Sequence, residues 1–291
     1  MIPAIWYWIG RTLTKLFAPL LFQFDLQSDS PLPAGAKILV ANHPSSTDPI
    51  LVATLFKERT CMLILDTLFK VPLVGRSLSL AGHIPVVPGS GQAALDEALR
   101  MLQAGRTVVI FPEGLISPAG GFHRARTGAA RLALMSGAPV VPIGIYLDAG
   151  RLHRIETKVE GTNEVGTWYM DGPYAVTVGA PLHFQGNVED REQVQYVTQR
   201  IMAHITALSM KSAIRMHASA ARRQAAWKSL RPQRLAHWMH RRAFPFAVHT
   251  GAATWKGSRR FALNTSQLLA GFTVKAARAV YFFIVAMALE E

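Results

Sequence analysis

The sequence predicts an α/β fold, in which a mostly parallel sheet is covered by helices. Amphipathic N-terminal helices precede this core, and a basic helical C-terminal appendage follows it. Short runs rich in valine and isoleucine alternate with helical segments between residues 36 and 185. Strands that are apolar at nearly every position are typical of a parallel sheet buried on both faces. At 291 residues, the chain is long enough for one such domain with appendages.

The strands and helices of the core are predicted in order from these runs. The predicted strands are KILVA (37–41), CMLIL (61–65), HIPVV (83–87), TVVIF (107–111), PVVPIGIYL (139–147) and PYAVTV (173–178). The predicted helices are DPILVATLFKE (48–58), Ser90 to Gly105, TGAARLALMSG (127–137) and a helix opened by Asn187. That last helix carries one apolar face, made by Val194, Val197, Ile201, Ile205 and Leu208. We therefore assign residues 31–210 to the α/β domain.

The first 30 residues are predicted to form amphipathic helices. Between Trp6 and Phe24 the apolar residues recur at helical spacing, with Arg11, Thr14 and Lys15 on the other side. Pro19 is expected to kink or split the helix. An amphipathic helix with a tryptophan-rich end suits a membrane interface. The alternative is a helix packed on its own domain.

Basic residues are concentrated in the last third of the chain. The net charge is +13, and residues 201–291 hold 14 of the 31 lysines and arginines but only two of the 18 acidic residues. We assign residues 211–291 to a basic, partly apolar appendage that associates with anionic membrane lipid. Nucleic acid is the alternative partner and is not expected. The predicted location is the cytoplasmic face of a membrane, without an ordinary transmembrane helix, because charges interrupt both apolar ends.

Two polar inserts at strand ends carry the candidate chemistry. Asn42 and His43 follow the first core strand, and Asp48 comes five positions after the histidine. Asp48 before Pro49 is a good helix start, but this does not explain a histidine at a strand end, where chemistry in α/β sheets usually lies. A carboxylate on one ring nitrogen fixes the tautomer and makes the other nitrogen a better base. The second insert, Pro112-Glu113-Gly114, turns the chain at the same edge of the sheet.

A dinucleotide-binding loop is a competing interpretation. Gly89, Gly91 and Ala94 read G-x-G-x-x-A after a strand, and Glu113 lies about 20 residues on. Pro88 at the strand exit and the unexplained histidine–aspartate pair argue against it. The sequence has no zinc-ligand spacing, Walker loop or G-x-S-x-G elbow, so neither a metal site nor a bound cofactor is expected.

With these inserts, roughly residues 20–210 resemble the glycerolipid acyltransferases typified by 1-acyl-glycerol-3-phosphate acyltransferase. The first family block matches Asn42, His43 and Asp48, the third matches Phe111 to Gly114 with Ser117, and the fourth matches Val140 to Ile143. The resemblance implies that His43 is a general base and that Asp48 orients it. It also implies substrate-binding positions at Asn42, Glu113, Gly114 and Ser117.

The chain departs from the family pattern at two arginines that contact the acceptor phosphate. Pro88 replaces the arginine of the second block, and Ile116 replaces that of the third. Arg124 and Arg126 are candidates to bind substrate with replacement charge; the alternative is that they are solvated loop residues.

The resemblance implies an O-acyltransferase of phospholipid biosynthesis. Acyl-CoA or acyl-carrier protein would be the co-substrate, and the acceptor would be the hydroxyl of a lysolipid similar to lysophosphatidic acid. The alternatives are the same mechanism on a glycolipid or aminolipid acceptor, and a non-catalytic lipid-binding relative.

Overall fold

A computed structural model of the protein describes residues 2–71, 74–159 and 162–229. The helices are α1 (Ile2–Leu21), α2 (Asp48–Leu55), α3 (Thr67–Lys70), α4 (Val74–Ala81), α5 (Gly91–Gln103), α6 (Gly128–Ser136) and α7 (Arg191–Ser229). The strands are β1 (Phe22–Ser28), β2 (Lys37–Ala41), β3 (Thr60–Leu65), β4 (Ile84–Val86), β5 (Thr107–Ile110), β6 (Val140–Leu147), β7 (Leu152–Val159), β8 (Thr162–Tyr169) and β9 (Gly172–Val178).

One sheet of seven strands organises the domain, in the order β1-β9-β6-β2-β5-β3-β4. Every neighbouring pair is parallel except β6 and β9, which are antiparallel. The prediction of an α/β fold with a mostly parallel sheet is confirmed. Because β2 and β5 are parallel neighbours, with Val40 beside Ile110, their carboxyl ends meet at one edge of the sheet.

The sheet is buried on both faces, as its apolar strands predict. In β2, Leu39 and Ala41 join a core that includes residues of α1, α2 and β8, whereas Ile38 and Val40 join a core built with α5, α6 and α7. All four of these side chains are fully buried. The alternation follows from the two-residue period of a strand.

Helix α1 packs on the domain along the side that carries Tyr7, Arg11 and Ala18. Tyr7, Ala18 and Leu21 are buried, and Arg11 donates hydrogen bonds to the carbonyls of Ala53 and Phe56 at the end of α2. Most of the large apolar side chains face outward, namely Ile5, Trp8, Ile9, Leu13, Leu16 and Leu20. One side of the helix therefore packs on the domain, as the alternative prediction stated, and an apolar side remains exposed.

The N-terminal segment also differs from its prediction in extent. The helix continues through Pro19 without a break and ends at Leu21. Phe24, predicted to be helical, lies in β1, which pairs with β9 at the edge of the sheet. Residues 22–28 thus belong to the sheet.

Helix α7 is longer than predicted and continues past residue 210. Asp190, rather than Asn187, accepts hydrogen bonds from the first backbone amides of the helix. The predicted apolar face is buried, and Ser212 and Met216 are buried as well. Ser212 donates to the carbonyl of Gly144, where any added Cβ would collide with the α7 backbone. The packed domain thus extends to Met216, and the prediction for residues 230–291 lies outside the described residues.

Candidate active site

The candidate site begins where β2 ends, and Asn42 fixes that end to the neighbouring strand. Its side-chain oxygen accepts from the amide of Ile145 at 2.7 Å, and its side-chain nitrogen donates to the carbonyl of the same residue at 2.9 Å. The residue is buried. Asn42 was predicted to bind substrate, but both ends of its amide are used on β6. These bonds continue the β2–β6 pairing one residue beyond the ladder.

His43 and Asp48 are brought into contact, as their spacing predicts. The distance between His43 Nδ1 and Asp48 Oδ2 is 3.1 Å. The aspartate is fully buried, and the histidine side chain is 17% exposed. The Phe111 ring stacks on the imidazole with its centroid 4.4 Å away. A carboxylate at Nδ1 holds the ring in the tautomer that leaves the Nε2 lone pair open, which is the arrangement a general base needs.

Asp48 is held by more than its histidine. Its Oδ2 also accepts from the backbone amide of Ser45 at 2.7 Å, while its Oδ1 accepts from the Ser45 hydroxyl and the Tyr174 hydroxyl, both at 2.8 Å. A buried carboxylate needs such donors to remain ionised. The competing explanation of Asp48 by the helix start alone does not hold, because Thr47 is at the N-cap of α2 and no side-chain capping bond forms there.

The loop between the histidine and the aspartate is fastened to β8. The amide of Ser46 donates to the carbonyl of Thr167, and the amide of Thr167 donates back to the Ser46 hydroxyl. Thr47 makes a similar pair, because its hydroxyl donates to the Tyr169 carbonyl and accepts from the Tyr169 amide. These hydrogen bonds fix the shape of the six-residue turn from His43 to Asp48, which has no apolar core of its own.

Glu113 and Ser117 hold the backbone of His43. The His43 amide donates to Ser117 Oγ at 3.2 Å and to Glu113 Oε1 at 3.4 Å, and the Ser117 amide donates to the His43 carbonyl at 2.7 Å. Glu113 is buried, and it also accepts from the Ser117 hydroxyl and the His123 amide. Both oxygens of Glu113 are therefore used within the protein. This geometry favours neither a head-group contact nor the ribose contact of the dinucleotide interpretation.

Gly114 and Arg126 lie against one another. Gly114 has a left-handed backbone, with φ of 65°, and a Cβ at this position would come within 2.8 Å of Arg126 Nε. The Arg126 amide donates to the Pro112 carbonyl, which places the arginine beside the turn that follows β5. Arg124 is exposed two residues earlier. In the described part of the chain, no hydrogen bond joins the Arg124 side chain to the cluster around His43.

The residues that correspond to the second family block, Gly82 to Pro88, form the turn into β4 and the strand itself. Burial, reinforced by the Arg59 guanidinium, lowers the pKa of His83 from 6.5 to about 4, so this ring is neutral at pH 7. Its Nδ1 accepts from the Met62 amide at 3.2 Å. Gly82 has a φ of 78°, and the guanidinium of Arg59 lies 2.8 Å from where its Cβ would be. Gly82 and His83 thereby fix the turn before β4. Pro88 has no charged side chain to take the place of the family arginine.

An apolar pocket of about 350 Å³ adjoins the site. Asn42, Pro44 and Ser117 line one side of it. The other walls are the loop at residues 118–122, the end of β6 and the α7 side chains of Thr206, Ser209, Met210 and Ala213. An apolar pocket with few polar groups beside a candidate base is suited to the hydrocarbon part of a ligand.

Some residues of the site escaped sequence reasoning. Ser45 lies between the histidine and the aspartate, and a serine three residues before a carboxylate is a local signal that could have been used. Tyr174, Thr167 and Tyr169 are more than 120 positions from the loop they contact. No local pattern links them to it.

Comparisons with known proteins point to acyltransferases. Residues 23–146 match the family model described as acyltransferase. The 1-acyl-sn-glycerol-3-phosphate acyltransferase of Borreliella burgdorferi is 29% identical over 112 residues, which is 38% of this chain and 45% of that protein. The Pseudomonas aeruginosa protein of the same name is 24% identical over 207 residues, covering 70% of this chain and 72% of the relative. In sequence, the chain is thus similar to the acyltransferase family model and to 1-acyl-sn-glycerol-3-phosphate acyltransferases.

The chain spans less than half of the length of several curated relatives that it matches, including the Borreliella protein and, at 40%, a chloroplastic one from Brassica napus. A crystal structure of the 1-acyl-sn-glycerophosphate acyltransferase from Thermotoga maritima has a TM-score of 0.50 to this chain at 22% identity. The alignment covers 69% of this chain and 79% of that one. At this identity the likeness shows a shared fold.

Proposed function

We propose that this protein transfers an acyl group from an acyl thioester to the hydroxyl of a lysolipid. The observation that carries the proposal is the contact of His43 Nδ1 with the buried carboxylate of Asp48 at 3.1 Å. It prepares one ring nitrogen of a partly exposed histidine to accept a proton. The names of the Borreliella, Brassica and Pseudomonas relatives, 1-acyl-sn-glycerol-3-phosphate acyltransferases, support the same class of reaction.

The proposed reaction needs no covalent enzyme intermediate. His43 Nε2 takes the proton of the acceptor hydroxyl while the oxygen attacks the thioester carbonyl. Asp48 stabilises the imidazolium that forms. The carbon–sulfur bond then breaks, the thiolate leaves, and the imidazolium returns the proton to sulfur. A positioned general base contributes about 10²–10⁴ in rate, so most of the activity depends on His43.

Different parts of the structure support the assignment of each of the two substrates. The acyl thioester is acyl-CoA or acyl-carrier protein, and the apolar pocket beside Pro44 and Ser117 is the place that we assign to a hydrocarbon chain. The acceptor is a lysolipid with a phosphate, similar to lysophosphatidic acid. Arg126 supports this choice, because it presents an exposed cation beside Gly114, close to Ile116, where the family arginine is absent.

Membrane association of this enzyme is proposed on the exposed side of α1. The apolar side chains that face outward include Leu16 and Leu20, each more than half exposed. Among residues 2–71, 74–159 and 162–229, no helix has the length and hydropathy required to span a bilayer. A helix whose apolar side faces outward, with the cation Lys15 also exposed, suits the surface of an anionic bilayer. Flotation with phosphatidylglycerol vesicles should recover the wild type, and Leu16→Glu together with Leu20→Glu should abolish recovery.

The activity is tested by thiol release from palmitoyl-CoA and from palmitoyl-carrier protein with lysolipid acceptors. His43→Ala should lower the rate by about 10²–10⁴. The matched control is His183→Ala, which removes an exposed histidine outside the site and should retain wild-type turnover. Turnover that is equal in the wild type and His43→Ala, or absent with every acceptor, would overturn the proposed function.

The acceptor is tested by pairing Arg126→Gln with Arg124→Gln. With lysophosphatidic acid, Arg126→Gln should raise KM about tenfold, as expected for the loss of one charge-assisted contact. With a phosphate-free monoacylglycerol, it should leave KM unchanged. Arg124→Gln is the control for loss of a nearby positive charge. Equal effects of the two substitutions on KM would show that both arginines act only through the positive electrostatic potential of the surface.

A further inference from the structure

Tyr174 is a buried polar residue that the proposed chemistry does not explain. It lies in β9, two strands away from β2, and its hydroxyl donates to Asp48 Oδ1 at 2.8 Å. Its side chain is fully buried. The nearest tyrosine in the same core, Tyr169, bonds instead to the backbone carbonyl of Pro173. The bond from the Tyr174 hydroxyl to the buried carboxylate of Asp48 therefore needs a separate explanation.

The ring of Tyr174 is fixed by its neighbours, so its hydroxyl points in a single direction. The backbone of Tyr174 is paired on both sides, with Leu147 in β6 and with Phe24 in β1. The ring packs against the rings of Phe22, Phe24 and Tyr169 with centroid separations of 5.9–6.3 Å. Packing of this kind locks a side-chain rotamer, which is what an accurate supporting contact requires.

The two oxygens of Asp48 have separate partners. Oδ1 takes the hydroxyls of Tyr174 and Ser45, and Oδ2 takes the ring of His43 and the amide of Ser45. The last torsion of an aspartate is broad and roughly two-fold, so the carboxylate plane is not fixed by its own rotamer. A donor on Oδ1 that cannot move sets this plane and turns Oδ2 toward the imidazole.

We propose that Tyr174 is a positioning residue for the acyl-transfer site. It fixes the carboxylate of Asp48 so that His43 is held as the Nδ1–H tautomer with Nε2 free. The inference rests on the proposed role of His43 as general base. It concerns the alignment of the pair and assigns no substrate contact to the tyrosine.

The test compares Tyr174→Phe with Tyr169→Phe in the full-length protein. Each substitution removes one hydroxyl from a buried ring in the same core, but only the first removes a bond to Asp48. Nitrogen-15 NMR of the imidazoles, with the His43 signals assigned by their loss in His43→Gln, reports the tautomer without any turnover. Thiol release then gives kcat and KM for the same samples, and thermal unfolding gives the stability of each.

We expect Tyr174→Phe to convert the single Nδ1–H tautomer into a mixture and to lower kcat about tenfold with KM unchanged, since a bond to a charged group is lost. Tyr169→Phe should keep one tautomer and the wild-type kcat, because Tyr169 holds the loop only through its backbone carbonyl and amide, which the substitution leaves in place. If the two variants match in tautomer and kcat, the inference is wrong. If Tyr174→Phe does not fold, Ser45→Ala, which removes the other hydroxyl from Oδ1 and leaves that of Tyr174, must keep the single tautomer. A mixture of tautomers in Ser45→Ala would overturn the inference, because Tyr174 alone would then not fix the carboxylate. Absence of turnover in the wild type would overturn the proposed function, and the tautomer would still decide the role of Tyr174.

Discussion

Removing the side-chain amide of Asn42 separates a structural role from a substrate-binding one. The amide makes two hydrogen bonds to Ile145, and both residues are buried. In Asn42→Ala the Ile145 amide loses its partner, while its carbonyl keeps the bond from Ser209 Oγ at 3.0 Å. The substitution therefore leaves one buried donor unsatisfied and removes a second bond that is partly replaced.

The expected loss of stability follows from these two terms. An unsatisfied buried amide costs about 1–3 kcal/mol, and the net contribution of the second bond is about 0.5–1.5 kcal/mol. Asn42→Ala should thus lower the free energy of unfolding by about 2–4 kcal/mol. Asn42→Asp should cost at least as much, because it places an oxygen against the Ile145 carbonyl and buries a charge. Ser209→Ala should cost only about 1 kcal/mol, because Asn42 Nδ2 still serves that carbonyl.

Urea unfolding followed by circular dichroism measures these losses, and thiol release below the unfolding transition measures KM. A structural Asn42 predicts a lower unfolding midpoint, an unchanged m-value and an unchanged KM in Asn42→Ala. A substrate-binding Asn42 predicts wild-type stability and a raised KM. A change in unfolding free energy of less than about 0.5 kcal/mol, the range of ordinary surface substitutions, would refute the reasoning.

Two further predictions concern the turns around the site. Gly114→Ala should lower the free energy of unfolding by about 1–3 kcal/mol because of its left-handed backbone, and by more because the new Cβ displaces Arg126. Gly120, with φ of 76°, has nothing within 4 Å of an added Cβ, so Gly120→Ala should lose only the backbone part. Urea unfolding of both variants measures the difference. Because burial lowers the pKa of His83 to about 4, the unfolded chain takes up its proton first as the pH falls. The free energy of unfolding should therefore decrease by about 3 kcal/mol from pH 6.5 to pH 4, and a His83→Leu variant should lose that part of the slope. An unaltered slope in the variant would contradict the assignment of a neutral buried ring.

The sequence was sufficient for the elements whose signals are local. The strands around KILVA and TVVIF are apolar at nearly every position, and the structure buries all of β2 and β5. The contact of His43 with Asp48 followed from a short insert between a strand and a helix, because a loop of that length keeps its ends together. Ser90 is at the N-cap of α5, although its side chain makes no capping bond.

Other features depend on contacts between distant residues and leave no local pattern. In the β7–β8 hairpin, polar residues separate the apolar ones (Leu152, Ile155 and Val159 in β7), so it gives none of the continuous apolar runs that revealed the core strands. Its contact with Ser46 and Thr47 is visible only when the chain is folded. The orientation of α1 also escaped prediction, because Arg11 turns inward to the carbonyls that end α2, where a cation is favourable.

The way in which the candidate base is held implies a separation between stability and activity. His43 is anchored through its backbone by Glu113 and Ser117, and its loop is anchored by Ser46 and Thr47. These anchors are polar groups with partners inside the protein, so removing any of them costs folding free energy as well as alignment. The imidazole itself makes one hydrogen bond and one stacking contact, and it is partly exposed. Substitution of the anchors should therefore lower stability and kcat together, whereas substitution of the ring should remove activity at little cost in stability. Such a division is what a proton-accepting group on a rigid support requires, because the support sets the geometry and leaves the reacting atom free.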